Sequence, residues 1–194
     1  MYLYQEGWTT FMQQVSPIKN KSDIRAMYEV LKSHNERDYL LFSLAIHTGI
    51  KVNQLLNLTV RDLLDDENDI KYNWVNNKKD LIKVVIPLHL RSSLSSFIRE
   101  QGLERDDFVF MSIKTKKQLS RQQAYRIIHV AAEEVGLKNI GLYSLRKTFA
   151  YHAFKSGVSV SIIQKYLGHQ SLIETLKFID VTTIKKETTI EINI

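Results

Sequence analysis

Along most of this chain the apolar residues recur at helical spacing, and between Asp69 and Pro87 that period gives way to alternation. Such periods constrain a fold strongly, because a helix buries one stripe while a strand buries every second side chain. The only prolines are Pro17 and Pro87, so nothing breaks the helical segments from within. The expected fold is α+β: mostly helical, with one small antiparallel β-sheet or hairpin.

Trp8, Phe11, Met12 and Val15 form an i, i+3, i+4, i+7 stripe, read as a short helix packing on its own domain. Ser22 is placed to cap a helix carrying Ile24, Met27, Tyr28 and Leu31. A second helix is predicted from about Arg37 to Thr48, with Leu40, Leu41, Leu44 and Ala45 apolar, and Gly49 suits a left-handed stop. A short helix from about Val52 to Leu58 follows. Ile70, Tyr72 and Trp74 alternate with polar neighbours, Lys83–Pro87 is a β-branched run, and the polar loop Asn76–Asp80 joins them as a hairpin. Further helices are predicted over His89–Glu100, ending near Gly102, and from the Ser120–Gln123 capping box to about Val135. Ser144 is expected to cap the next, ending near Gly157; Ser159 opens one that stops at Gly168; a last one covers about Ser171–Ile179. The organisation expected is an extension over 1–17, one domain over 18–180 and a β-branched tail over 181–194.

Absence of cysteine excludes disulfides and thiolate metal sites. No run approaches the roughly 18 apolar residues of a membrane span. Met1–Val15 lacks the basic-then-apolar order of a secretory signal, so a soluble, cytoplasmic protein is expected. Lys and Arg number 27 against 21 Asp and Glu, giving net +6 and a pI near 9.4. That balance favours a polyanionic partner, because neutralising phosphates releases counterions.

Four segments carry more specific information. They are His47-Thr48-Gly49-Ile50-Lys51-Val52-Asn53-Gln54-Leu55-Leu56; the hairpin with Lys79 in its loop; Tyr143-Ser144-Leu145-Arg146-Lys147-Thr148-Phe149; and Leu167-Gly168-His169-Gln170-Ser171. In that order and spacing they resemble the tyrosine recombinase (phage integrase) family. The first resembles its box Thr-Gly-Leu-Arg-Ile-Ser-Glu-Leu, the third its His-x-x-Arg-(Lys/Arg)-Thr-Phe, and the fourth its Leu-Gly-His-x-Ser. The resemblance implies a double-stranded DNA partner and DNA integration and recombination within a mobile element. A tyrosine attacks a phosphodiester, leaving a 3′-phosphotyrosyl link and a 5′-hydroxyl, with no metal or other cofactor. Positive charge and donors must surround the phosphate, and the leaving oxygen must receive a proton.

Carried over residue by residue, Arg146 is the planar fork for two phosphate oxygens. His169 is a second donor to the same phosphate, and Lys79 protonates the departing oxygen, with Lys78 its adjacent rival. Lys114, Lys116, Lys117 and Arg121 form a basic run toward a helix that faces DNA in the family, and Lys147 is expected to join the contacts that position the duplex. Three positions depart from the pattern. Lys51 replaces the first arginine, keeping charge without the fork; Gln54 replaces an acidic residue; Tyr143 replaces an imidazole with a hydroxyl. The decisive departure is Phe178, nine residues after His169, where the family places its nucleophile. No tyrosine follows Tyr166, which is read as a packing residue, as are His47 and Tyr72 as structural residues.

Three readings result. In the first the protein holds DNA, with a second copy or a related recombinase, but cannot cleave. In the second it is an active recombinase whose nucleophile has been exchanged by engineering. In the third it is a structural protein that has lost DNA binding, which the retained Arg146, His169, Lys79 and net +6 oppose. Larger family members close a second helical domain around the duplex; without one, affinity is expected near the nonspecific range of roughly 10⁻⁴–10⁻⁶ M. The β-branched tail, with Val181, Ile184, Ile190 and Ile192, is expected to pack on its own domain, the alternative being addition to a sheet edge of a neighbouring subunit.

Overall fold

The computed structural model describes residues 15–75, 82–112 and 114–181. In chain order the elements are α1 (Lys21–His34), α2 (Glu36–Thr48), α3 (Val52–Leu56), α4 (Val60–Leu63), β1 (Asn73–Val75), β2 (Lys83–Val85), α5 (Leu88–Glu100), α6 (Arg121–Glu134), α7 (Leu142–Lys155), α8 (Val160–Leu167) and α9 (Leu172–Phe178). This is the α+β arrangement anticipated from periodicity, with one two-stranded antiparallel sheet.

Helix α2 is the hub. Leu40, Leu41, Phe42 and Leu44 are all fully buried, and a helix apolar on every side belongs inside a core. Helices α1, α5 and α7 pack around it. Asn35 caps it by accepting from Arg37 N at 2.8 Å, and Gly49 ends it in the left-handed conformation. Helix α1 begins one residue after Asn20, whose side chain donates to the Asp23 carboxylate at 3.0 Å. Ser22 therefore lies inside the first turn, with its hydroxyl turned to the same carboxylate, and does not cap.

The segment expected as one helix over 52–58 is two. Leu58 leaves the helix because its carbonyl accepts from Val109 N at 2.9 Å, and Thr59 restarts the turn with Asp62 accepting from its backbone and hydroxyl. The first strand is shorter than the alternation suggested. Ile70 is buried and bridges to Leu64, so only Asn73–Val75 pairs with Lys83–Val85, in the register Trp74 opposite Val84. Tyr72 is exposed and lies over the Arg91 guanidinium, 5.2 Å from its ring centre.

Two apolar clusters divide the interior. The larger surrounds α2. The smaller joins Ala150 of α7, Ile163, Tyr166 and Leu167 of α8, and Phe178 with Ile179 at the end of α9; Ile82 and Val84 of the hairpin pack on it. The hairpin and the last three helices thus form one layer against the α2 core. No described helix is long and apolar enough to cross a membrane. Trp8, Phe11 and Met12 of the N-terminal stripe, Lys78 and Lys79 of the hairpin loop, and Ile184, Ile190 and Ile192 of the tail lie outside the described residues.

Candidate functional site

Three sequence segments far apart in the chain are tied together at one place. Gly49 adopts φ +61°, and a Cβ there would stand 2.3 Å from Phe149 Cδ1, so the turn after α2 lies directly on α7. Only glycine meets both demands. Phe149 in turn tilts against Tyr166, ring centres 5.2 Å apart, and the Tyr166 hydroxyl donates to the Thr48 carbonyl. Arg146 Nη2 donates to the Leu167 carbonyl at 2.7 Å. The end of α2, the start of α7 and the end of α8 are therefore joined by two buried hydrogen bonds and a glycine contact. Tyr166 is buried as expected of a packing residue, and burial pushes its hydroxyl pKa upward.

Against this junction opens a cleft of about 240 Å³. Lys51, Val52, Asn53 and Gln54 line one side; Arg121, Tyr143 and Arg146 complete it. None of these is acidic, and three carry positive charge. Lys51 and Arg121 are exposed at the starts of α3 and α6, whereas Arg146 is held inside the protein, 9% exposed. Burial lowers the Arg146 pKa, opposed by Tyr143 and Tyr166, yet a guanidinium stays charged in proteins. Its Nε is buried with no hydrogen-bond partner among the described residues. Buried donors are almost always paired, so an unpartnered Nε on a guanidinium that lines a cleft is uncommon.

His169 stands beside this cleft. Its Nδ1 lies 3.0 Å from Thr175 Oγ1, and Thr175 is fully buried. Burial lowers the His169 pKa; Glu174 opposes the shift and the Arg146 guanidinium adds to it. The Phe178 ring sits edge-on to His169 at 4.8 Å and to Tyr143 at 5.4 Å, and Lys147 Nζ lies 5.7 Å from its centre. Phe178 is 8% exposed. Position 178 therefore adjoins the histidine and tyrosine of the site, and presents hydrocarbon to them.

The other candidates divide. Lys114, Lys116 and Lys117 are exposed on a turn closed by Ser112 N donating to the Lys117 carbonyl at 2.8 Å, and this turn leads into α6. Lys116 lines a separate hollow with Glu36, Phe97 and Met111. Ser120 caps α6 with Gln123 reaching back, as the sequence indicated, and Arg121 follows directly into the cleft. Lys147 does not face outward as expected of a DNA-positioning lysine. It is 6% exposed and its Nζ donates to the Val15 carbonyl at 2.8 Å, because the segment before α1 crosses α7 at that point. Ser144 is not the cap of α7. The helix starts at Leu142, and Ser144 Oγ accepts from Gly141 N at 3.1 Å from within the first turn, which places Tyr143 on the helix. His47, read as structural, has Nδ1 2.8 Å from the Ser43 carbonyl, and burial lowers its pKa.

Two contributions were missed by sequence reading. Thr175 carried no signal beyond lying four residues after the Ser171 cap, on the face of α9 that returns to His169. Arg121 was expected to touch DNA but not to share a cleft with Arg146. Among the described residues no group of three or more His, Cys, Asp or Glu side chains is placed to hold a metal ion.

The chain matches the phage integrase family over residues 19–183. It is 31% identical over 170 residues to the probable integrase/recombinase YoeC of Bacillus subtilis, covering 88% of this chain and 92% of that one. It is 34% identical over 149 residues to the type 1 fimbriae regulatory protein FimE of Escherichia coli, covering 73% of each. A tyrosine recombinase of Pseudothermotoga lettingae is 31% identical over 166 residues, 85% of this chain but 56% of the relative. The chain thus spans little more than half of that longer relative. Among solved structures, XerA recombinase superposes with a TM-score of 0.66 at 21% identity, over 91% of this chain and 61% of that one. XerH recombinase bound to its difH substrate gives 0.62 at 22% identity, over 84% and 50%.

Proposed function

The chain belongs to the phage integrase family, and on that premise we propose that it holds double-stranded DNA by a phosphodiester seated in the cleft, without cleaving it through position 178. The observation carrying this reading is the junction itself. Arg146 enters dry and with a spare donor, Lys51 and Arg121 face it across a cleft without carboxylates, and His169 stands alongside. Cations and donors preorganised around one small volume are what a phosphoryl group demands. Lys51 supplies charge, and Arg121 supplies the planar fork that Lys51 lacks. The exposed Lys114 and Lys117 position the duplex through further phosphates. Relatives named as recombinases, and a solved integrase in complex with circular intermediate DNA, support a duplex partner.

Transesterification needs an oxygen to form the new bond to phosphorus, and a phenyl ring has none. The ring at 178 keeps the packing of the site but removes that step. A second reading is favoured by Tyr143, whose half-exposed ring lines the cleft beside Phe178 and bears a hydroxyl. Both readings are separated by incubating the protein with nicked, suicide-type duplex and resolving the products on a denaturing gel. The expected result is no covalent band for the protein as it stands. A band that disappears in Tyr143→Phe would transfer the attack to Tyr143. A band in Phe178→Tyr alone would show the rest of the site to be competent, and would favour an exchanged nucleophile.

A further inference from the structure

The geometry points to Thr175 as a positioning residue that places the ring proton of neutral His169 on Nδ1, so that His169 meets a phosphate only as an imidazolium. The phosphate part of this inference rests on the reading given above; the tautomer part does not.

Thr175 Oγ1 has two neighbours. It lies 3.2 Å from the Ser171 carbonyl, which can only accept, and 3.0 Å from His169 Nδ1. A hydroxyl has one proton to give. Given to Ser171, that proton leaves Oγ1 as an acceptor, and Nδ1–H then satisfies the second contact. Given to Nδ1, it leaves two carbonyl and hydroxyl oxygens facing each other without a hydrogen between them, in a position that is fully buried. The first arrangement makes both bonds and the second makes one, and buried polar groups settle where both are made.

With the proton on Nδ1, neutral His169 has a bare Nε2. No described residue bonds it, and it repels an anionic oxygen. A donor appears at Nε2 only when the ring takes a second proton. Burial and the Arg146 guanidinium from α7 disfavour that proton, and Glu174 from α9 favours it; Lys147 Nζ lies over the neighbouring Phe178 ring. Glu174 is engaged with Gln170 N at 2.8 Å. Helix α8 contributes only the uncharged Gln164, whose side-chain amide donates to the His169 carbonyl at 3.2 Å. The unliganded site thus disfavours the charged ring, and an arriving phosphodiester brings the negative charge that favours it. Binding is coupled to uptake of one proton at His169, and affinity rises as pH falls, by up to about tenfold per pH unit while the free ring is neutral and the bound ring charged.

The test is nitrogen-15 NMR of the imidazoles in the full chain, assigned by His169→Gln. At a pH where the ring is neutral, the expected spectrum has His169 protonated at Nδ1 and bare at Nε2. Thr175→Val is expected to move the proton to Nε2, and Thr175→Ser to leave it on Nδ1. Wild-type His169 carrying its proton on Nε2 would overturn the inference, and this measurement needs no DNA. Titration with a short duplex then examines the coupling. Duplex binding whose pH dependence is unchanged by His169→Gln would overturn the proton uptake. Failure of any duplex to bind, with the Nδ1 tautomer found, would remove the functional reading and leave the role of Thr175 standing.

Discussion

Replacing Gly49 by alanine perturbs the contact that seats the α2 turn on Phe149 of α7. Two costs add. Alanine at φ +61° occupies the left-handed region, at about 1–2 kcal/mol. Its methyl group would also stand 2.3 Å from Phe149 Cδ1, far inside contact distance, so Phe149 must move. Phe149 leans on Tyr166, whose hydroxyl is bonded to Thr48, so the displacement is resisted by the same junction that creates it. Overpacking of this kind costs about 1–3 kcal/mol. Gly136→Ala is the matched control: φ is +78° and nothing lies within 4 Å of the added Cβ. Urea unfolding of both variants is expected to show the control losing about 1–2 kcal/mol and Gly49→Ala losing about 1–3 kcal/mol more. Losses equal within about 0.5 kcal/mol, the ordinary scatter of uninvolved positions, would mean that the Phe149 contact does not hold the turn in place.

Restoring the fork at Lys51 should make Arg121 dispensable: Arg121→Ala is expected to weaken duplex binding, and Lys51→Arg in that background to recover it, as read by fluorescence anisotropy. Lys114→Ala and Lys117→Ala are each expected to reduce the slope of log affinity against log salt by about 0.9, whereas Lys147→Met leaves that slope unchanged and lowers stability in urea by about 1–3 kcal/mol through the lost bond to Val15. Burial depresses the pKa of His47 in the folded state, so the folded form favours the neutral ring. Its contribution to stability is therefore complete above the unfolded value of 6.5 and is lost as pH falls through that value toward the folded one. Unfolding measured across that window is expected to show wild-type stability falling more steeply than that of His47→Asn.

Much of this architecture is written locally. The Ser120–Gln123 box, the Gly49 stop and the apolar faces of α1 and α2 each rest on neighbours within one or two turns, and each appears where the sequence put it. Arg146 and His169 were identifiable from the residues flanking them. What was not legible depends on contacts across the fold. A serine at the N-cap and a serine at the third helical position look alike in a sequence, so the start of α7 two residues before Ser144 was not legible. The direction of Lys147 is decided by Val15, 132 residues away. Thr175 acquires meaning only when α9 folds back on His169. Ile70 fits the alternation of a strand but is drawn aside by Leu64.

In the proposed function, Arg146 and its cationic neighbours grip a duplex phosphate. The most direct measurement of that grip is equilibrium binding of a duplex across a salt series, comparing wild type with Arg146→Lys, each shown folded by its unfolding transition. The expected result is salt-sensitive binding by the wild type and at least a tenfold loss in the variant, about 1.4 kcal/mol, because lysine keeps the charge but cannot reach the phosphate as a fork. Equal affinities for the two proteins, or wild-type binding indifferent to salt, would contradict it.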